Sequence, residues 1–315
     1  MWLNGTSDLI AELKNRGAQK VALQFPEGLK RRAGEYATAL KAAGFDVIVS
    51  GDPCYGACDL ALDALAISDV LVHFGHAPVD ERWNVIFEPY YIGFDVAVLK
   101  NAIPYLKGKT VCLVTTVQHV HLIPEMTTFL QSLGIDVRVS DGSTRTPFRG
   151  QVLGCSFAAA KVPGADEILF VGTGLFHAIG IAIATCKRVI ALDPLTGTAQ
   201  EVSGDALLRR RFAVMEKARG AQTVGIILST KSGQQRMALA QHLLSLSPHT
   251  TIITMREVNP DELLNLGFPC YVNTACPRLA YDDQVRFPVP VLSPQEFEII
   301  CGKRTWDDYA IDEIS

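Results

Sequence analysis

The sequence predicts an α/β protein of three successive units, each a small parallel sheet covered by helices. Three observations carry this. Apolar strand-like runs alternate with helical stretches, and the resulting order of elements occurs three times. The last strand of each repeat also ends alike, at Glu88-Pro89, Asp193-Pro194 and Ser293-Pro294. Strand runs that are apolar throughout, rather than alternating with polar residues, mark sheets covered on both faces.

In the first unit, residues 1–100, residues 21–26 read as a buried strand ended by Pro26 and Gly28. Residues 29–44 read as an amphipathic helix with Gly44 at its C-terminal end. A strand at 46–50, a turn at Gly51-Asp52-Pro53, a short helix near 60–65 and strands at 69–74 and 85–87 follow. The second unit, residues 101–200, repeats the order: strand 110–116, helix 121–133, strand 136–140, a longer loop, a helix near 156–161, and strands 167–172 and 189–192. The third unit, residues 201–315, opens with a connecting helix over 201–220. That helix carries Arg209, Arg210 and Arg211, read as a solvated face or a contact for an acidic partner surface. Strand 224–229, helix 234–245, strand 250–255, helix 260–266 and strands 271–274 and 289–292 complete it. Right-handed crossovers place all strand C-termini of a sheet on one edge, where ligands of such folds bind.

At 315 residues, 48% hydrophobic and 20% charged, the chain is not a mainly disordered one. A net charge of −4 argues against nucleic-acid binding through a broadly basic surface. No apolar run reaches the roughly 18 residues of a membrane span. The longest weakly polar stretch, residues 174–186, contains His177. Residues 1–8 do not read as a secretion signal, so a cytoplasmic location is expected. The eight cysteines are then reduced, and metal binding or packing comes before disulfides.

Three cysteines fall one per unit on strand-end loops: Cys58, Cys155 and Cys276. They lie 97 and 121 residues apart, which matches no local metal motif, so only tertiary structure can unite them. Three units around a pseudo-threefold axis would do so, and three thiolates on a four-iron cluster leave one iron open. The alternative is that each is a small buried hydrophobe. Cys54 and Cys58 open the Cys-x3-Cys-x2-Cys pattern, but its third position holds Ala61, so that motif is absent. Cys112 and Cys186 read as core, and Cys270 and Cys301 have no evident partner. No Walker A, HExxH or Rossmann glycine fingerprint stands at a strand–helix junction.

The segments Gln24-Phe25-Pro26-Glu27-Gly28-Leu29, Tyr55-Gly56-Ala57-Cys58-Asp59 and His73-Phe74-Gly75-His76 resemble motifs of the archaeal diphthamide synthases. So do Gly150-Gln151-Val152-Leu153-Gly154-Cys155, Gly172-Thr173-Gly174-Leu175-Phe176-His177, Asp193-Pro194 and Ala275-Cys276-Pro277-Arg278. The resemblance covers nearly the whole chain. It implies three Rossmann-like units with a central 4Fe–4S cluster on Cys58, Cys155 and Cys276, in a non-canonical radical S-adenosylmethionine enzyme. It further implies a homodimer that takes electrons from a reductant or donor protein. The enzyme would transfer a 3-amino-3-carboxypropyl group to C2 of a histidine in translation elongation factor 2, releasing methylthioadenosine. Quinolinate synthase shares the three-unit, three-cysteine plan and is the competing enzyme; a metal-stabilised binding protein is the non-enzymatic one.

Other polar residues at strand ends are candidates for binding S-adenosylmethionine. Glu27 and Gly28 end the first strand, and Glu27 either meets the substrate amino group or serves the helix start. His73 and His76 end a third strand, and Gly174 and His177 hold the like place in the second unit. Gln118 and His119 follow strand 110–116. Asp193 suits a ribose hydroxyl or a turn. Lys231 and Gln234 open a helix, whose N-terminus with Lys231 suits a carboxylate or a solvated turn.

Overall fold

The computed structural model describes residues 6–314. The first unit runs α1 (Thr6–Asn15), β1 (Lys20–Gln24), a 3-10 stretch Glu27–Arg32 leading into α2 (Ala33–Ala42), β2 (Asp46–Val49), α3 (Leu62–Leu65), β3 (Val70–Phe74) and β4 (Val85–Glu88). All its strand pairs are parallel, in the order β2-β1-β3-β4. The apolar pattern explains the order. The inner strand β3 is buried along its whole length, whereas the edge strand β2 is not.

The second unit has a 3-10 stretch Val96–Tyr105, β5 (Thr110–Thr115), a 3-10 stretch Val117–Leu122 continuing into α4 (Ile123–Ser132), β6 (Asp136–Arg138), the single turn Ala158–Ala160, β7 (Glu167–Val171), α5 (Phe176–Thr185), β8 (Val189–Leu192) and β9 (Ala199–Val202). Its order is β6-β5-β7-β8-β9. The last strand is antiparallel, an addition to the expected parallel sheet. Val96–Tyr105 packs on α4, β8 and β9, so the cover of the second sheet begins before residue 101.

The third unit has α6 (Asp205–Ala218), β10 (Val224–Ser229), α7 (Met237–Leu246), β11 (Thr250–Met255), α8 (Pro260–Leu266), β12 (Tyr271–Asn273), α9 (Arg278–Tyr281), β13 (Val291–Leu292) and α10 (Pro294–Ile300). Its order, β11-β10-β12-β13, repeats that of the first sheet. The core of the second unit also takes in Ala280, Tyr281 and Ile311, so the second and third units share one apolar interior.

Two expectations are corrected. Arg209 and Arg210 are exposed, but Arg211 is buried. Its guanidinium makes two hydrogen bonds to Glu296 and donates to the Ala280 and Val291 carbonyls. Glu296 also caps α10: its carboxylate accepts from the Ser293 amide, and its own amide donates to Ser293 Oγ. Thus Ser293-Pro294 starts a helix instead of merely ending a strand. Cys186, expected in the core, is exposed in a left-handed conformation (φ 52°) at the C-terminus of α5.

Candidate metal-cluster site

Cys58 stands on the loop from β2 to α3, Cys155 on the long loop after β6, and Cys276 three residues beyond β12. Each is partly exposed, while Cys54, Cys112 and Cys270 are buried. The three thiols are near enough to sense one another. Burial first, then the negative charges of Cys58 and Cys155, push the Cys276 thiol up to about 12. Burial likewise raises Cys58; a hydrogen bond from Gln234 opposes it, and Cys155 adds to it. A nearby cation favours the thiolate forms of Cys58 and Cys276, which burial holds as thiols.

The loops are held by backbone and side-chain hydrogen bonds. Gly233 N donates to the Cys58 carbonyl at 3.1 Å, and Gln234 Nε2 donates to Cys58 Sγ at 3.1 Å. The Cys276 carbonyl accepts from Asn273 Nδ2 at 2.8 Å and from Leu279 N at 3.1 Å. The Cys155 carbonyl accepts from Ile314 N at 2.8 Å. Residues 312–314 thereby form a strap. Asp312 pairs with Arg236 through both oxygens, at 2.8 and 2.6 Å, and Arg236 also donates to the Thr274 and Ala275 carbonyls just before Cys276. The Glu313 carboxylate accepts from Phe157 N and pairs with Lys161.

Gly233 leaves no room for a side chain. A Cβ there would stand 2.5 Å from Cys58 Cα. Gly233→Ala is therefore expected to displace Cys58 and lower cluster content severalfold with little change in circular dichroism. Full iron loading in that variant would refute the close approach.

The other candidates divide. Gln234 is, among the described residues, the candidate that hydrogen-bonds a centre cysteine. Gly174 (φ 73°) and His177 line a cavity of about 430 Å³ with Arg278, close to Cys276. Burial, then the Arg278 charge, lowers His177 to about 4. Lys231 is not free for a substrate carboxylate: it is 5% exposed and pairs with Asp59 at 2.9 Å and Glu257 at 2.6 Å, fastening the residue after Cys58 to the third unit.

Asp193 forms a turn, its Oδ1 accepting from Leu195 N at 2.9 Å. His119 is buried with Nδ1 2.8 Å from the Ile92 carbonyl, and the Gln118 carbonyl accepts from Ile92 N at 2.8 Å. Glu27 is exposed and pairs with Lys30 at 2.7 Å, and Gly28 has open space around its Cα.

His76 Nδ1 lies 3.0 Å from His73 Nε2, and His73 Nδ1 lies 2.8 Å from Gln24 Oε1. Gln24 donates to the Asp59 carbonyl, and its Oε1 accepts from Ala61 N, so the His73 proton sits on Nδ1. Burial lowers His76 to about 4. Cys54 Sγ groups with these two histidines, the donor atoms all within 4.8 Å of one another.

Sequence reasoning missed Asp80, Arg145, Ser232 and Arg236, which line a cavity of about 520 Å³ together with Gly233, Gln234 and Ile314. It adjoins Cys58 through Gly233 and Gln234, and Cys155 through Ile314.

Three α/β units that each carry one partly exposed cysteine on a strand-end loop, with Cys276 close enough to feel the charges of Cys58 and Cys155, have the layout of a three-cysteine cluster protein. The chain belongs to the diphthamide synthesis protein family, whose model matches residues 25–311. It is similar to the 2-(3-amino-3-carboxypropyl)histidine synthase of Pyrococcus horikoshii, 39% identical over 98% of this chain and 92% of that protein. It is also similar to subunit 1 of the synthase of Nematostella vectensis, 30% identical over 94% of this chain and 66% of that one. The crystal structure of Dph2 from Pyrococcus horikoshii with a 4Fe-4S cluster matches with a TM-score of 0.93 at 37% identity, covering 100% of this chain and 95% of that one. The match bears out the pseudo-threefold arrangement of the units.

Proposed function

We propose that the protein is a 2-(3-amino-3-carboxypropyl)histidine synthase that modifies a histidine of translation elongation factor 2. S-adenosylmethionine provides the 3-amino-3-carboxypropyl group, and methylthioadenosine leaves. The observation that supports the reading most is the close match of this fold to a cluster-bearing relative, together with the charge coupling of Cys276 to Cys58 and Cys155. The donor set fits a 4Fe–4S cluster: three thiols, one per unit, leave one iron without a protein ligand. When bound, the cluster supplies the electron that breaks the bond from sulfur to the methionine Cγ.

The protein's part is placement. Gln234 holds the Cys58 sulfur by a hydrogen bond, and the strap holds the Cys155 and Cys276 loops. In this reading Gln234 faces the substrate, and Gly174 and His177 line the second opening. Lys231, Asp193, Gln118, His119, His76, Glu27 and Gly28 shape the surrounding loops. The enzyme works as a homodimer in the cytoplasm, with electrons from a donor protein. Among the described residues, no helix is long and apolar enough to cross a membrane.

Anaerobic protein with a reductant is expected to convert S-adenosylmethionine to methylthioadenosine, and to do nothing without the reductant. Chromatography of the nucleoside products decides it: 5′-deoxyadenosine as the main product would refute the assigned cleavage.

A further inference from the structure

The cavity of about 520 Å³ beside Cys58 contains a cation without an anion. Arg145 is only 7% exposed, yet among the described residues no carboxylate lies within ion-pair distance of it. Its Nη2 donates to the Gly233 carbonyl at 2.9 Å, and its Nε is buried without a hydrogen-bond partner. The other arginine in the same wall, Arg236, shows the usual arrangement, with both Asp312 oxygens bound. Buried charges are ordinarily matched, because the lost hydration must be replaced. Cys58 is near enough to feel the Arg145 charge but makes no hydrogen bond to it, which leaves the guanidinium open to an anion from outside the chain.

Two more wall residues have spare polar capacity. Ser232 Oγ is buried without a partner, and so is Asp80 Oδ1, the other Asp80 oxygen being taken by Arg82 Nε at 3.0 Å. A cation, a hydroxyl and an anion thus come from three different units to one cavity. This set complements an α-amino carboxylate, a carboxylate beside an ammonium. Planar guanidinium recognition of carboxylates makes arginine the apt cationic member. The position suits the chemistry as well. The same wall carries Gly233 and Gln234, which touch Cys58, so an amino-acid end held here lies next to the cluster ligands.

We infer that Arg145 and Ser232 bind the α-carboxylate of S-adenosylmethionine and that Asp80 receives its ammonium group. The assignment rests on the function proposed above and adds which end of the substrate faces which wall. It explains why the amino acid portion, which is the transferred group, is gripped by the protein while its bond to sulfur breaks.

The test compares two nucleosides on anaerobic, cluster-loaded protein by equilibrium dialysis. S-adenosylmethionine and methylthioadenosine share the adenosine part, but only the first has the amino carboxylate. Arg145→Gln is expected to weaken S-adenosylmethionine binding by about tenfold or more, the scale of a lost charge-assisted pair. Methylthioadenosine binding and iron content should stay within about twofold, the change expected where no such contact is lost. Asp80→Asn is expected to give the same selective loss, and Arg145→Lys a smaller one. Unchanged S-adenosylmethionine binding in Arg145→Gln overturns the assignment, as does equal weakening of both nucleosides. Loss of iron in Arg145→Gln also overturns it, because the missing anion would then be the cluster. If the unmodified protein binds neither nucleoside, the proposed function itself fails.

Discussion

Alanine at Cys58, Cys155 or Cys276 is expected to cut iron and sulfide from about four per chain to about one or less, whereas Cys54→Ala keeps the cluster. The three are partly exposed thiols from three units and sense one another's charge. Cys54 is only four residues from Cys58, but its thiol is buried and grouped with His73 and His76. Burial, opposed by a backbone hydrogen bond from Gly56, pushes it up to about 12. Iron and sulfide analysis after anaerobic reconstitution checks this. A cluster lost in Cys54→Ala and kept in Cys276→Ala would replace the ligand set.

The largest stability effect is expected far from the centre, at Arg211 and Glu296. Glu296→Ala should lower unfolding free energy by about 3–5 kcal/mol, because it strands a buried guanidinium. Glu296 is fully buried, caps α10 and accepts from Tyr309 Oη at 3.0 Å, so its loss also frees a helix start. The double variant Arg211→Met, Glu296→Leu should recover part of the loss, since no lone charge remains. Urea unfolding of the three proteins checks this; a Glu296→Ala variant within about 1 kcal/mol of the parent would show the pair to be weakly coupled.

The sheet plan was legible because the inner strands are apolar runs, as at residues 70–74 and 167–171. Elements without that contrast were not. The helix α5 (FHAIGIAIAT) has no polar face to betray its period, and it packs closely because Gly180 lies against Phe157. The edge strand β9 is mostly exposed and reads as loop. Arg211 sits in an arginine run that looks like surface, and its partner is 85 residues away.

The centre shows the same division. The three proposed ligands were legible as one residue type recurring at like places in three repeats, and each stands partly exposed on a loop of its own unit. The polar wall was not, because a side chain's role there depends on what it lacks. Arg145 is notable only once the partner of its side chain, among the described residues, proves to be a carbonyl 88 residues on. Lys231 looked free beside a helix start until Asp59 and Glu257 were found on either side of it.

The strap formed by residues 312–314 sets an order of events during synthesis. When Cys276 has been made, all three thiols exist, but the clamp between Arg236 and Asp312 waits for 36 further residues. A chain at that stage has all three proposed ligands and the bonds from Arg236 to the Thr274 and Ala275 carbonyls, but not the Asp312 clamp or the Ile314 bond to the Cys155 carbonyl. Iron delivery is therefore expected to follow release of the strap from the ribosome, making cluster insertion a late step of maturation.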